Sequence, residues 1–466
     1  TFNVVQNDAN ELPNNIEAEQ SVIGSILVSN EIFDEINILI TSKNFYDPMH
    51  QKIFSAIEKL IYSGMLANPI TLKNYFEKVK DELINLLTRL VNDPEKIVND
   101  DSVNIVVELI GGENPALELI LAAVRNGKHV VTANKEVISK HGAEIFSLAR
   151  ENNVRVLFEA SVGGGIPIIS PLMRDLVSND IRSIKAIING TTNYILTRMA
   201  NEQADYESVL SEAQRLGYAE TDPTNDVEGI DAAYKLSILS TLAFRASIKD
   251  TDIFTEGITN LTDKDFQYAK ELGYSIKLLA IATQINSDVL GRVHPALIPQ
   301  DQMLAKVDDV LNAVEIETDL TEKVLFHGPG AGSMPTSSAV IADIVNIARS
   351  IAGDTDLLDP VRLSGDVKVA PISTLSTKYY FRIEVIDQPG VLGRIATVFG
   401  ECGISISSFI QKELEAKTSD AELVIMTHDS FAISAELIEK FETENNATVV
   451  LQPAGDAGEV LVRAIL

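Results

Sequence analysis

Val103-Asn104-Ile105-Val106-Val107-Glu108-Leu109-Ile110 is an apolar run that ends in Gly111-Gly112. That is the pattern of a strand buried on both faces. A helix follows, with Asn114 as its cap and Pro115 at its first position. Leu117, Ile120, Leu121 and Val124 share one face of it, and Gly127 stops it. Lys128-His129-Val130-Val131-Thr132-Ala133 reads as the next strand. A helix over 143–150 and the strand Val154-Arg155-Val156-Leu157-Phe158 make a third step. Strand and helix in alternation predict a parallel sheet covered by helices.

Toward the N-terminus the period is helical. Ile16, Val22, Ile23, Ile26 and Leu27 follow Pro13-Asn14-Asn15, and Ile53, Ile57, Leu60 and Ile61 form a second stripe. Asn44-Phe45-Tyr46-Asp47-Pro48 breaks the two. Beyond 180 strands and helices mix: strands at 181–188, 289–298 and 324–326, helices at 206–216, 231–244 and 339–349. After a Pro/Ser/Thr break at 371–377, the chain reads strand (379–385), turn (387–390), helix (391–402), strands (404–410 and 421–427), helix (432–442) and strand (447–451). That βαββαβ order is the ferredoxin-like unit.

Composition sets outer limits. The chain has 466 residues, which predicts about three domains at roughly 150 residues each. Its formal charge of −29 speaks against broad binding to nucleic-acid backbones. There is no run of 18 apolar residues, which argues against a membrane span, and no secretory signal is read at Thr1-Phe2-Asn3-Val4. Because the first residue is Thr, a trimmed or processed chain is expected. The single cysteine, Cys402, fits a reducing cytoplasm.

Five clusters carry candidate chemistry. Thr132-Ala133-Asn134-Lys135 follows a parallel strand, at the sheet edge where open α/β folds hold ligands. Lys135 there either reaches a bound substrate or is a solvated lysine at a helix start. In Glu159-Ala160-Ser161-Val162-Gly163-Gly164-Gly165-Ile166-Pro167 the glycines allow carbonyl oxygens to be aimed at a hard cation, or they form a domain joint. Asn189-Gly190-Thr191-Thr192-Asn193 opens a helix. Its free N–H groups suit a carboxylate or oxyanion, or Asn or Thr simply caps it. Gly217-Tyr218-Ala219-Glu220-Thr221-Asp222-Pro223 leads to Asp226, Glu228, Gly229, Asp231 and Lys235. Asp231 and Lys235, four residues apart, share one helix face. If buried, such a lysine can donate a proton near neutral pH; on a surface it is a weak ion pair. Gly328-Pro329-Gly330-Ala331-Gly332-Ser333-Met334-Pro335-Thr336 opens another helix, as an anion or carboxamide seat or as a tight turn. The six histidines show no metal-ligand spacing, and CxxC, HExxH and GxSxG are absent.

These five clusters, in this order, resemble homoserine dehydrogenase from about residue 84 to the end. The 379–450 unit, with Asp387-Gln388-Pro389-Gly390-Val391-Leu392, resembles an ACT-type amino-acid-sensing domain. The resemblance implies interconversion of L-aspartate 4-semialdehyde and L-homoserine with NADP or NAD, in threonine, methionine and isoleucine biosynthesis. It implies Lys235 as proton donor, Lys135 as the group that holds the substrate and polarises its carbonyl, and Asp231 as the residue that orients the substrate ammonium. Substrate contacts fall on Glu220, Asp226, Gly190 and Thr191, with Glu220 binding the ammonium. Cofactor contacts fall on Lys135, Gly332 and Gly111. Glu159, Val162, Gly164 and Ile166 match a monovalent-cation site, for example for Na+, built largely from backbone oxygens. The family also implies a homo-oligomer and threonine as effector of the C-terminal unit.

Residues 12–80 resemble instead the N-terminal helical domain of the bacterial replicative helicase, through Leu12-Pro13-Asn14-Asn15-Ile16-Glu17-Ala18-Glu19-Gln20, 44–48 and Pro69-Ile70-Thr71-Leu72. That segment stands where the family's first strand and GxGxxG turn would cradle the cofactor diphosphate. Only Gly24 and Gly64 precede Gly111, so no such turn exists. The expected fold is α/β and α+β multidomain: a helical domain (1–82), a truncated Rossmann-like parallel sheet (83–160), an α+β substrate domain (161–370) and a ferredoxin-like ACT unit (371–466). Weak dinucleotide binding and an exposed apolar sheet edge are expected. A non-catalytic interaction protein and an artefactual fusion stand beside the enzyme as alternatives.

Overall fold

The computed structural model describes residues 16–45, 47–79, 91–353, 367–413, 420–431, 448–449 and 464–465. The chain forms two compact units, Thr1–Lys96 and Ile97–Leu466.

The first unit is helical: α1 (Ile16–Val28), α2 (Phe33–Leu39), α3 (Pro48–Tyr62) and α4 (Pro69–Val79). Asp47 caps α3 by accepting from the Met49 and His50 N–H groups, and Pro48 takes the first position, where no N–H is needed. Phe54, Ile57 and Leu60 then fall on the buried face and pack with Ile26, Phe33, Phe45, Leu72 and Phe76. A short helix, α5 (Pro94–Val98), leads across the boundary.

The second unit opens with β1 (Ile105–Glu108), α6 (Ala116–Arg125), β2 (His129–Thr132), α7 (Lys135–Glu151) and β3 (Val156–Leu157). The three strands form a parallel sheet in the order β1-β2-β3, with Val106 beside Val130 and Val130 beside Val156. The expected parallel sheet is therefore present, with shorter strands. Two local expectations are corrected. Pro115 holds the cap position of α6 without a side-chain cap bond, so Asn114 does not cap it. Beyond Glu108 the chain leaves the sheet, because the Glu108 carboxylate accepts the Ile110 N–H at 2.7 Å. At the β1 edge, Val107, Leu109 and Ile110 are 40%, 58% and 56% exposed, an apolar edge of the kind proteins normally cover.

A second, mixed sheet follows. Its elements are β4 (Ile181–Ile187), α8 (Gly190–Glu202), α9 (Tyr206–Arg215), α10 (Thr224–Val227), α11 (Ile230–Phe244), β5 (Phe254–Thr255), α12 (Asp263–Glu271), β6 (Tyr274–Ile285), β7 (Asp288–Pro299), β8 (Leu311–Thr318), β9 (Lys323–Pro329) and α13 (Ser333–Ile351). Strands run in the order β7-β6-β4-β8-β9. Helix α11 is apolar nearly all round and buried with Leu236 and Leu239 in the main core, so its Asp231 and Lys235 are buried too. Gly229, at φ 79°, lets α11 begin against β5 and β7; a β-carbon there would lie 3.1 Å from both Thr255 and Val293.

The C-terminal unit has β10 (Ser376–Ile386), α14 (Val391–Glu401), β11 (Ile406–Glu413), β12 (Asp420–Thr427), β13 (Ser430–Phe431) and β14 (Thr448–Val449). The antiparallel order β11-β12-β10-β14 is that of the ferredoxin-like fold. The expected helix at 432–442 lies outside the described residues. A last strand, β15 (Ala464–Ile465), pairs with both β10 and β7. Among the described residues, no helix is long and apolar enough to cross a membrane.

Candidate active site

A cleft of about 410 Å³ opens at the carboxyl end of the parallel sheet. Gly111, Gly112, Asn134 and Lys135 come from that edge, Ser161, Gly163 and Gly164 from the glycine loop, and Gly330, Ala331 and Thr336 from the turn into α13. Glu220, Asp226, Asp231, Tyr234 and Lys235 close the other side.

A buried network sets the sheet edge. Glu108 accepts the Thr132 hydroxyl at 2.7 Å, and Thr132 Oγ1 accepts the Asn134 N–H at 2.9 Å. Asn134 then caps α7 through Val137 N–H and donates to Gly112 O at 2.7 Å. Lys135 is thereby fixed as the first residue of α7.

Asp231 holds both lysines. Its Oδ2 accepts from Lys235 Nζ at 2.7 Å, and its Oδ1 pairs with Lys135. Lys235 also donates to Ile188 O at 2.7 Å. The Asp231 side chain is 5% exposed, that of Lys235 11% and that of Lys135 43%. Burial pulls the Asp231 carboxyl upward, but Lys235 and Lys135 outweigh it and hold it well below the usual carboxylate range. Burial likewise pulls Lys135 down, and Asp231, Asp226 and Glu220 outweigh it and raise it above an ordinary lysine. Two amines therefore meet at one cleft around a carboxylate whose ionised form they favour. Such a pair can stabilise an oxyanion from two sides and deliver a proton to it.

The other expected residues divide. Glu220, Asp226, Gly111 and Gly164 line the cleft with the lysines. Gly190 and Thr191 stand behind the lining. A β-carbon at Gly190 would lie 2.9 Å from Val310 O, and Thr191 donates to Tyr218 O at 2.6 Å, so both fit α8 to its neighbours. Gly332, at φ 114°, is the cap residue of α13. Gly164 packs so closely that a β-carbon would lie 2.7 Å from Gly330 O, which joins the two glycine loops. Val162 and Ile166 are buried behind them. The Glu159 carboxylate is consumed by the N–H groups of Ile168, Ile169 and Ser170, at 2.7–2.8 Å, which leaves only its carbonyl for a cation. No cluster of acidic, His or Cys side chains fit for a metal occurs among the described residues.

Sequence reading names neither Asn189 as a side-chain contact, nor Tyr234 in the cleft wall, nor Asp343. Asp343, on α13, accepts the Glu159 N–H at 2.9 Å. Burial pushes its carboxyl up to about 7, against that hydrogen bond and with help from the Glu159 charge. The folded pKa lies above the unfolded one, so Asp343's contribution to stability is complete below about pH 4 and is lost as pH rises to about 7. Asp343→Asn keeps the acceptor and removes the ionisation. Its unfolding free energy in urea relative to the parent should climb between pH 4 and pH 7, by on the order of 3 kcal/mol, and then level off. A gap that does not vary with pH would refute this.

Family models match at 167–345 (homoserine dehydrogenase), 77–159 (homoserine dehydrogenase, NAD binding domain), 379–440 (ACT domain) and 11–108 (DnaB-like helicase N terminal domain). The second and the last overlap over 77–108. The homoserine dehydrogenase of Neisseria gonorrhoeae is 45% identical over 346 residues, 73% of this chain and 79% of its own length. That of Synechocystis is 47% identical over 349 residues, 73% of this chain and 80% of its own. Among solved structures, homoserine dehydrogenase from Thiobacillus denitrificans matches with a TM-score of 0.73 at 42% identity, covering 81% of this chain and 85% of that one. A hyperthermophilic archaeal homoserine dehydrogenase in complex with NADPH matches with a TM-score of 0.50 at 29% identity, covering 61% and 84%.

Proposed function

The chain belongs to the homoserine dehydrogenase family of oxidoreductases, and from that membership we propose that it reduces L-aspartate 4-semialdehyde to L-homoserine at the Asp231 site. The observation that carries this is the seating of Lys135 and Lys235 on the two oxygens of one buried carboxylate. The aldehyde oxygen lies between the two ammonium groups. As its carbon is reduced, the oxygen gains negative charge, Lys135 stabilises it and Lys235 gives it a proton. Glu220 and Asp226 face the same cleft and hold the substrate ammonium. NAD(P)H, when bound, supplies the hydride.

The residues present fit only part of that cofactor. Gly111 and Gly112, at φ 78° and 69°, have open space where a β-carbon would stand, so backbone can approach a nicotinamide ribose. No glycine turn is available for the diphosphate. The carbonyls of Glu159, Val162, Gly164 and Ile166 would serve a monovalent cation such as Na+. A cytoplasmic homo-oligomer with an amino-acid effector at the ACT domain, threonine first, completes the proposal. Heat on titration with threonine supports that effector, and silence with every aspartate-family amino acid removes it.

A second reading, a non-catalytic interaction protein, is favoured by one observation: the helicase-type match at 11–108 covers the stretch where a first βαβ step belongs. Semialdehyde-dependent loss of NADPH absorbance, followed at millimolar cofactor, separates the two. Turnover supports the dehydrogenase; none at any cofactor concentration supports the interaction protein.

A further inference from the structure

Asn189 stands at the N-cap of α8, buried, with its amide pointing two ways. Its Oδ1 accepts the Thr192 N–H at 2.8 Å and the Thr192 hydroxyl at 3.0 Å. Its Nδ2 lies 2.7 Å from Asp226 Oδ1 and 2.9 Å from Asp231 Oδ2. Chemistry fixes this orientation, since a backbone N–H only donates and ionised carboxylates only accept. Both amide hydrogens are therefore spent on carboxylates, one each.

We propose that Asn189 is a positioning residue for the reaction: its amide spans Asp226 and Asp231 and fixes the rotation of the carboxylate that holds the two lysines. This rests on the reading of Asp231, Lys135 and Lys235 as the reacting site. Asp231 Oδ2 receives both Asn189 and Lys235, which turns Oδ1 toward Lys135. Without the second donor the carboxylate is free to rotate onto one lysine and release the other. Two acids facing one cleft also repel each other, and a neutral double donor between them holds their spacing without adding charge. Capping alone does not account for the choice of residue, because Asp or Ser caps a helix as well as Asn.

Asn189→Asp keeps a capping oxygen, removes the NH2 and adds a carboxyl facing Asp226 and Asp231, with Lys235, Lys135 and Glu220 around it. At pH 8 its kcat should fall about 30-fold or more, and the deficit should narrow toward pH 6, where the added carboxyl takes up a proton and donates again. Asn189→Ser keeps the cap and adds no charge, so its kcat should fall with no narrowing at lower pH. If both variants stay within about twofold of the parent at every pH, Asn189 is a cap only and the proposal is overturned. A readout independent of turnover is the urea midpoint of Asn189→Asp, which should drop further below the parent between pH 6 and pH 8. If the parent shows no semialdehyde reduction, the functional reading fails and takes the positioning role in the reaction with it. The unfolding series still decides whether the amide spans the two carboxylates, and a pH-independent gap overturns that.

Discussion

Lys235→Ala should abolish semialdehyde reduction, lowering kcat/KM by about 10³-fold or more. A positioned general acid contributes on the order of 10²–10⁴-fold, and this one also contributes half of the positive charge available to the oxyanion. Alanine removes the donor and leaves the buried Asp231 with Lys135 and Asn189 alone. Stripping one partner from a buried ion pair costs about 3–5 kcal/mol, so the same variant should lose stability in urea. Lys235→Arg separates the two effects. It restores a cation beside Asp231, but a guanidinium stays protonated and cannot serve as the acid. It should recover much of the stability and almost none of the turnover. Lys135→Ala is the milder comparison: that side chain is 43% exposed, and its loss should raise KM as well as lower kcat. Unchanged turnover in Lys235→Ala would place the proton donor elsewhere.

How far this site could be read in advance follows from its geometry. Asp231 and Lys235 are four residues apart on one helix, so their pairing is a local fact that periodicity exposes. Lys135 was legible as a residue at a strand end, and the resemblance to a family put it with Lys235 at one carbonyl, but its pairing with Asp231, 96 residues away, is marked by no local pattern. Asn189 was legible as a cap and not as a double donor, because its two carboxylates arrive from α10 and α11 across 37 and 42 residues. The same contrast runs through the fold. The alternation over 103–132 announces the parallel sheet, since each step folds on its own neighbours. Tyr274–Ile285 and Leu311–Thr318 are named by no sequence reading, although they flank β4 on its two sides in the mixed sheet. Strand β6 is buried along most of its length and has no alternation to mark it. Glu159 lies in the glycine loop that the resemblance links to a cation through backbone oxygens, and its carboxylate is engaged by three backbone donors that no local pattern reveals.

NADPH should bind weakly, with fluorescence titration failing to saturate below about millimolar cofactor. A diphosphate seat supplies charge-assisted bonds from backbone N–H groups at a helix N-terminus, each worth roughly 1.5–3 kcal/mol. Losing two or three of them weakens binding by on the order of 10²–10⁶-fold. Among the described residues the parallel sheet has three strands, and β1, the strand before Gly111-Gly112, is its edge. What remains is the end near the lysines, where Gly111, Gly112 and the turn at Gly330 leave backbone open to the cleft. A sharper form of the test therefore compares whole cofactor with half of it. Reduced nicotinamide mononucleotide carries the hydride and lacks the second nucleotide, so a chain without a diphosphate seat should bind it within a few-fold of NADPH. It should also reduce the semialdehyde with it at a comparable rate. Micromolar saturation by NADPH together with a large preference over the mononucleotide would mean that residues before β1 rebuild the cradle without a GxGxxG turn.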